Sequence, residues 1–347
     1  MNKHFPALSV VVPFYNAGSY CEAALESISR QSFADFEAIL VNGGSTDGSP
    51  EVAQSWTRRN ARFRVIHHEN NQNVACARNT GLEAALSPFV AQADADDINH
   101  LDRFHLQMEA AAKFPEVGIM GADLALDGGR VLRFPAQSPA IRIRALSGTA
   151  IPLPAAFFNR TVLGEARYNP ALAYCEDLDF WLRHCFRVPT MNLPRALVHY
   201  RQPPQSLSNS LSPHRLEAER FVMQQRKETL GVPLDIEAGI ATHLGHRTFQ
   251  VGSSRIAAHI LQLYQQSDRL KLAPPATLRR EALYLTKRMW RYYGRQNLAS
   301  AALKLLQTTG GLLINISRPH HLTRVTSLLI FLCRCLKTAW PFSSSRA

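Results

Sequence analysis

The N-terminal third of the chain alternates short continuous apolar runs with stretches of helical periodicity. Leu8-Ser-Val-Val-Val12, Phe36-Glu-Ala-Ile-Leu-Val41, Phe63-Arg-Val-Ile66 and Phe89-Val-Ala-Gln-Ala93 have the length and β-branched content of buried strands. Between them lie helical patterns. Ser19 stands three residues before Glu22, the spacing of a capping box, and Ala24, Leu25 and Ile28 continue on one face. Ser49 and Pro50 supply an N-cap and a first-turn proline for a second helix. Val74–Leu86 reads as a third, closed by Pro88. Strand–helix alternation with short loops predicts an α/β fold with a mostly parallel sheet and helices on both faces. Ligands of such sheets bind at the carboxyl ends of the strands. Asn16, Asn42 and Asp94 each follow a strand, so all three fall at that edge.

Further along, the pattern changes. Pro203–Pro213 is rich in turn formers and reads as a loop or linker. Beyond it the sequence reads as helical, with Leu216–Leu230 and Leu278–Tyr293 as examples. Thr323–Trp340 holds a dense apolar cluster interrupted by Arg324, Arg334 and Lys337. That cluster fits a helix lying in a membrane interface, and equally one packed on its own domain. With 347 residues and 46% hydrophobic content the chain can form one large core and a smaller one. The division expected is 1–203 for a catalytic domain and 204–347 for a basic helical region that serves the acceptor, the membrane or both.

Charge sharpens that division. The net charge is +12, yet residues 1–203 are close to neutral, so the basic excess lies in the C-terminal part. Such a region suits an anionic membrane surface or acidic substrates. No zinc-ligand spacing or aromatic RNA-binding signature accompanies it, so no nucleic-acid partner is expected. The six cysteines form no CxxC pair and read as reduced thiols. Neither a signal-peptide pattern nor an apolar segment of the ~18–20 residues needed to span a membrane is seen. The expected location is cytoplasmic, with peripheral contact at the inner face of the membrane.

Two acidic clusters carry the chemistry. In Gln92-Ala-Asp94-Ala-Asp96-Asp97 three carboxylates follow an apolar strand. Like charges this close need a cation or hydrogen-bond donors. Mg²⁺ commonly binds through one or two carboxylates plus substrate phosphates. The plainer alternative is a turn whose aspartates cap a helix starting near Leu101. In Glu176-Asp177-Leu-Asp179-Phe-Trp-Leu-Arg183, Leu178, Trp181, Leu182 and Cys185 recur at helical spacing, with the acids at the N-terminus. First-turn acids are ordinary partners of the helix dipole. One placed there would equally serve as a general base for an alcohol.

In this order the motifs resemble the inverting glycosyltransferases of family 2. Val10-Val-Val-Pro-Phe-Tyr-Asn16 resembles the family's first strand and loop, and Ile39-Leu-Val-Asn-Gly-Gly-Ser-Thr-Asp-Gly-Ser49 its nucleotide loop. Ala77-Arg-Asn-Thr-Gly81 through Asp94-Ala-Asp-Asp97 resembles its helix and DxD motif, and Glu176-Asp-Leu-Asp-Phe-Trp-Leu-Arg183 its ED motif. His199-Tyr-Arg201 is similar to a basic segment downstream. The resemblance implies a GT-A fold, a nucleotide-sugar donor, a divalent metal (Mg²⁺ or Mn²⁺) and a glycan or lipid-linked acceptor, as in bacterial cell-surface polysaccharide synthesis. It implies Pro13 and Tyr15 against the base, Asn42 and Arg78 near the nucleotide, Asp94 on ribose or metal, Asp96 on metal, and Asp177 as base. It leaves open an approach of His199 to the metal or diphosphate. One departure stands out: the family usually has two aspartates where this chain has Asn42 and Gly43. The processive QxxRW-type motif is absent, which implies transfer of single residues. Asp96 and Asp177, far apart in sequence, must then share one site.

Two rivals share parts of this pattern. A nucleotidyltransferase would carry a basic Gly-rich loop after the first strand, but Pro13-Phe-Tyr-Asn-Ala-Gly18 holds no Lys or Arg. A non-catalytic binding or assembly subunit would keep the fold and tolerate Asn42-Gly43. A dehydrogenase is disfavoured because no GxGxxG follows the first strand.

Overall fold

A computed structural model of the chain describes residues 5–202 continuously and interrupted stretches between 212 and 285. The elements run β1 (Leu8–Phe14), α1 (Tyr20–Ser29), β2 (Phe36–Asn42), α2 (Ser49–Arg59), β3 (Phe63–His67), α3 (Val74–Ala84) and β4 (Phe89–Gln92). They continue with β5 (Ile98–Asn99), α4 (Arg103–Lys113), β6 (Ile119–Ala125), β7 (Val131–Leu132), α5 (Ser138–Ala145), β8 (Phe157–Asn159) and α6 (Arg160–Leu163). Then come α7 (Glu176–His184), β9 (Thr190–His199), α8 (Pro213–Leu230), α9 (Ile236–Leu244) and α10 (Ser253–Arg269).

One mixed sheet has the order β3-β2-β1-β4-β8-β6-β9-β5, with β7 paired to β6. The four strands expected from the apolar runs are mutually parallel. β8 joins β4 antiparallel, and β6 and β9 pair parallel to each other. Every residue of β1 and β2 is buried, as the continuous apolar runs require. Val10 and Val12 face α1, α2 and α4, while Val11, Ile39 and Val41 face α3, α5 and α7. Each such Val or Ile contributes about 1.5–3 kcal/mol by burial. The expectation of helices on both faces therefore holds.

Local signals differ in two places. The Ser19 side chain makes no cap hydrogen bond. Glu22 instead accepts from Trp56 Nε1 at 3.1 Å and Arg59 Nη1 at 2.9 Å, so tertiary partners displace the capping box. Gly48, not Ser49, caps α2, and Ser49 Oγ accepts from the Gly18 backbone at 3.1 Å.

The chain forms two compact units with the boundary between Arg226 and Lys227. The sequence suggested a division after residue 203. The first unit extends further because Ala218 and Val222 of α8 pack on Leu172 and Leu178. In the second unit α9 and α10 pack through Ala238, Ala241, Ile256 and Ile260, with Val251. Among the described residues no helix is long and apolar enough to cross a membrane. Residues 203–211 of the expected Pro203–Pro213 linker, most of the Leu278–Tyr293 helix and all of Thr323–Trp340 lie outside the described residues.

Candidate active site

α3 is the element that assembles the site. Its backbone lies so close to β1 that a Cβ on Gly81 would stand 2.2 Å from Val11 Cγ1, so only glycine fits there. One turn earlier, Arg78 is held 3% exposed. Its Nη2 donates to Asp94 Oδ1 at 2.7 Å and its Nη1 to Gln92 Oε1 at 3.1 Å. Its Nε lies 3.7 Å from Glu176 Oε1. A single guanidinium thus joins the first acidic cluster to the second across about 80 residues of chain. Burial opposes the Arg78 charge, but Asp94 and, with it, Glu176 outweigh that and hold its pKa above the ordinary value.

Two asparagines on α3 bring the second cluster within reach. Asn79 accepts from the Tyr168 backbone N–H at 2.8 Å and donates to its carbonyl at 2.9 Å. Asn73 donates to the Pro170 carbonyl at 2.9 Å while capping α3 through Cys76 N–H. The segment before α7 is thereby tied down. Cys175 then takes a left-handed backbone (φ 60°), unusual for a residue with a Cβ, and α7 begins at Glu176. Burial, followed by the adjacent Asp177, pushes the Glu176 carboxyl up to about 7, against the pull of Arg78. Asp177 is half-buried, and its Oδ1 accepts from Leu178 N–H at 2.8 Å.

The first cluster sits at the carboxyl end of β4. Carboxylate oxygens of Asp94, Asp96 and Asp97 all lie within 4.8 Å of one another. Burial, then the Asp94 charge, raises Asp96 to about 6. Burial, then Asp94 and Asp96, raises Asp97 to about 9. Asp97 Oδ1 accepts from the Arg201 backbone at 2.8 Å, whereas its Oδ2 is buried with no hydrogen-bond partner. Three crowded oxygen donors and an unmatched buried oxygen are the donor set a hard divalent cation takes. The residues present therefore fit such an ion.

Cations grip the turn from two sides. Arg201 donates to the Asp96 carbonyl and, at 2.9 Å, to the Tyr20 carbonyl, and stacks on the Tyr20 ring. Fully buried Arg103 donates to the Gln92 carbonyl at 2.6 Å and to Asn99 Oδ1. β5, two residues long, pairs with β9 and pins the chain just after the cluster. The alternative expectation of a helix cap does not hold: α4 begins at Arg103, and its flanking Asp102 makes no side-chain cap bond.

Pro13, Tyr15, Asn42 and His199 complete the expected set. Pro13 is buried in β1 opposite Val41, and Tyr15 just beyond is 49% exposed. Asn42 is 4% exposed. Its Oδ1 accepts from Ser45 N–H at 2.8 Å and its Nδ2 lies 3.1 Å from His67 Nδ1, so its amide shapes the loop from within. Gly44 comes two residues later with φ +81°, and a Cβ there would meet the Asn70 carbonyl carbon at 2.9 Å. His199 ends β9. Its Nε2 lies 2.8 Å from Asp127 Oδ1, and it is not part of the acidic group. Pairing of β9 with β5 and β6 brings it beside the loop after β6.

Sequence reasoning missed Asn73, Asn79, Tyr168 and the bridging role of Glu176. The Ala77–Gly81 motif held the signal for Asn79, but its partner lies 89 residues on.

Comparison with known proteins agrees with this geometry. Residues 9–157 match the model of glycosyl transferase family 2. A putative teichuronic acid biosynthesis glycosyltransferase, TuaG of Bacillus subtilis, is 30% identical over 228 residues, which cover 63% of this chain and 87% of TuaG. The putative glycosyltransferase EpsH of the same organism is 44% identical over 92 residues, about a quarter of either chain. A crystal structure of S. aureus TarS in complex with UDP-GlcNAc superposes with a TM-score of 0.53 at 18% identity, over 87% of this chain and 92% of that one. With matched motifs, matched fold and a relative covered over most of its length, the chain belongs to glycosyltransferase family 2.

Proposed function

We propose that the protein transfers a sugar from a nucleotide-diphosphate donor to an acceptor hydroxyl by single displacement with inversion, in the synthesis of a cell-surface polysaccharide. The observation that carries this reading is Arg78, whose one guanidinium holds Asp94 of the first acidic motif and Glu176 beside Asp177 of the second. A transfer enzyme needs donor and acceptor chemistry side by side, and proximity itself supplies much of the acceleration.

Asp96 and Asp94 would hold Mg²⁺ or Mn²⁺, with Asp97 behind them. Such an ion neutralises charge that develops on a departing nucleotide diphosphate. Tyr15, exposed at the end of β1, would stack on the base, with buried Pro13 fixing its backbone. Asn42 would brace the nucleotide loop through Ser45 and His67, and Gly44 would let it pass close to Asn70. Asp177 would take the acceptor proton as the oxygen attacks the anomeric carbon from the face opposite the diphosphate. The acceptor would be a glycan or lipid-linked sugar. The basic excess after residue 203 would favour an anionic membrane surface, where each Lys or Arg near the lipid contributes on the order of 1 kcal/mol. TuaG, by name a putative teichuronic acid biosynthesis glycosyltransferase, supports the biological setting.

A thermal-shift screen of UDP-, GDP- and dTDP-sugars with Mg²⁺ or Mn²⁺ tests the reading, followed by nucleotide release on the donors that bind. UDP-GlcNAc, bound by TarS, is the first to try. Metal-dependent stabilisation and turnover are expected. Binding without turnover of any donor, with acceptor glycans present, would favour the non-catalytic subunit instead.

A further inference from the structure

Arg103, the first residue of α4, carries its charge inside the core. Arginine is almost never fully buried unless it is paired. Yet the four acceptors that its side chain reaches among the described residues are all neutral. Nε donates to Gln107 Oε1 at 3.2 Å, one turn along α4, and Nη1 donates to Asn99 Oδ1. Nη2 donates to the Gln92 carbonyl at 2.6 Å and to the Ala156 carbonyl at 3.3 Å. Two of these acceptors flank one short turn. Gln92 ends β4 and Asn99 ends β5, and between them stand Asp94, Asp96 and Asp97.

The acceptors are themselves fixed. Asn99 Nδ2 donates to Ser27 Oγ of α1 at 3.2 Å, which turns its Oδ1 toward the guanidinium. The Gln92 N–H donates to the Ala156 carbonyl at 2.9 Å, and Gln107 Nε2 to the Ala155 carbonyl at 2.8 Å. A guanidinium spans such a set because its five N–H groups form a rigid fork, whereas an ammonium is a compact point charge. Arg201 holds the middle of the turn through the Asp96 carbonyl; Arg103 holds its two ends. Burial presses the Arg103 pKa down to about 9, and the charges of Asp94 and then Asp97 pull it up, so the group is still a cation at neutral pH.

We propose that Arg103 is the positioning residue of the candidate metal seat: its guanidinium holds both ends of the turn 93–98 at a set spacing, so that the three carboxylates meet a divalent cation as a preformed set. The metal role of those carboxylates rests on the proposed transferase reading; the clamp on the turn does not. Removing groups that orient metal ligands from behind typically costs about 10–100-fold in metal affinity.

Hydrogen exchange on the full chain, without metal, tests the clamp. Arg103→Lys keeps the charge and cannot span both flanks. Asn99→Ala removes one flank acceptor and leaves the guanidinium in place. Both are expected to speed exchange of the amides of 93–98 about 10-fold or more. Wild-type exchange in both would overturn the clamp. Phe104→Leu is the control, since its ring packs on Phe36 in the core and makes no bond to the turn. It is expected to lower Tm and leave exchange of the turn within about twofold. If Arg103→Lys does not yield folded protein, Asn99→Ala decides.

Manganese EPR then reads the seat, with Mn²⁺ alone and with UDP, GDP or dTDP added. Arg103→Lys and Asn99→Ala are expected to weaken Mn²⁺ binding about 10-fold or more, and Phe104→Leu by less than about twofold. Equal weakening in all three would make Arg103 a packing residue only and overturn the proposal. A wild-type protein that binds no Mn²⁺ under any of these conditions would count against the metal reading, and exchange would still decide the clamp.

Discussion

The two acidic motifs are built in opposite ways. Asp94, Asp96 and Asp97 stand at the end of a buried strand with their oxygens crowded within 4.8 Å, and burial and mutual repulsion push two of them toward the neutral form. Glu176, Asp177 and Asp179 stand on the first turn of a helix, spread by its geometry, with Arg78 and Arg183 on two of them. The first arrangement crowds carboxylates whose full ionisation a bound cation would favour. The second spreads its carboxylates around a helix turn, where arginines reach them. On the proposed function, three acids in four residues would make a metal seat in one place and supply a base in the other. The discriminating feature is the local geometry, strand end or helix start.

The largest effect should come from the second motif. Asp177→Asn is expected to lower sugar transfer about 10²–10⁴-fold while leaving nucleotide-sugar binding unchanged by calorimetry. Equal loss of both would remove the distinction between the motifs. Asp96→Asn should behave conversely: metal-dependent binding of the nucleotide-sugar is lost together with turnover, and excess EDTA reproduces that in the wild type. Full turnover in EDTA would take the metal role from the first motif.

Arg78 joins the two regions, and its removal should damage both. Arg78→Met leaves Asp94 and Glu176 without their buried partner, a change that costs about 3–5 kcal/mol in comparable ion pairs. Denaturant unfolding checks this; a loss well below that range, under about 1 kcal/mol, would mean the motifs are held together by something else.

Acid should separate the regions more gently. His184, at the far end of α7, is buried against Phe180, and burial, with Arg183 and Arg187 beside it, lowers its pKa to about 4. The unfolded chain titrates near the ordinary value of about 6.5. Between those values the unfolded state binds more protons, so stability is present above about pH 6.5 and falls as pH drops toward 4. The upper bound is about 3 kcal/mol. Thermal unfolding against pH should show the slope in the wild type and a flatter one in His184→Phe. An unchanged slope would place the acid sensitivity elsewhere.

The parallel half of the sheet was readable because its strands are unbroken apolar runs punctuated by Gly, Pro and Asn. The other half was not. β5 and β7 are two residues long and β8 three, too short to show a period. β9 contains Pro194, which speaks against a strand inside a sheet, and its register against β6 shifts just beyond that residue. The acidic residues themselves were legible as chemistry, since their types and crowding have few other uses. Their partners were not. Arg78 sits in a readable motif, yet only the packing of Gly81 on Val11 reveals that its side chain points inward. Asn42 reads as a nucleotide contact, but nothing in the sequence tells that its amide also engages Ser45 and His67. Arg103 opens a helix, where an arginine ordinarily marks a solvated face, yet it is fully buried.

The central claim is that both acidic motifs serve one sugar nucleotide. It is tested most directly by anomalous scattering from crystals grown with Mn²⁺ and the nucleotide-sugar selected by the screen. The account expects a manganese peak against Asp94 and Asp96, with the donor sugar lying between that peak and Asp177. A peak remote from these carboxylates, or a sugar that Asp177 does not approach, would contradict it.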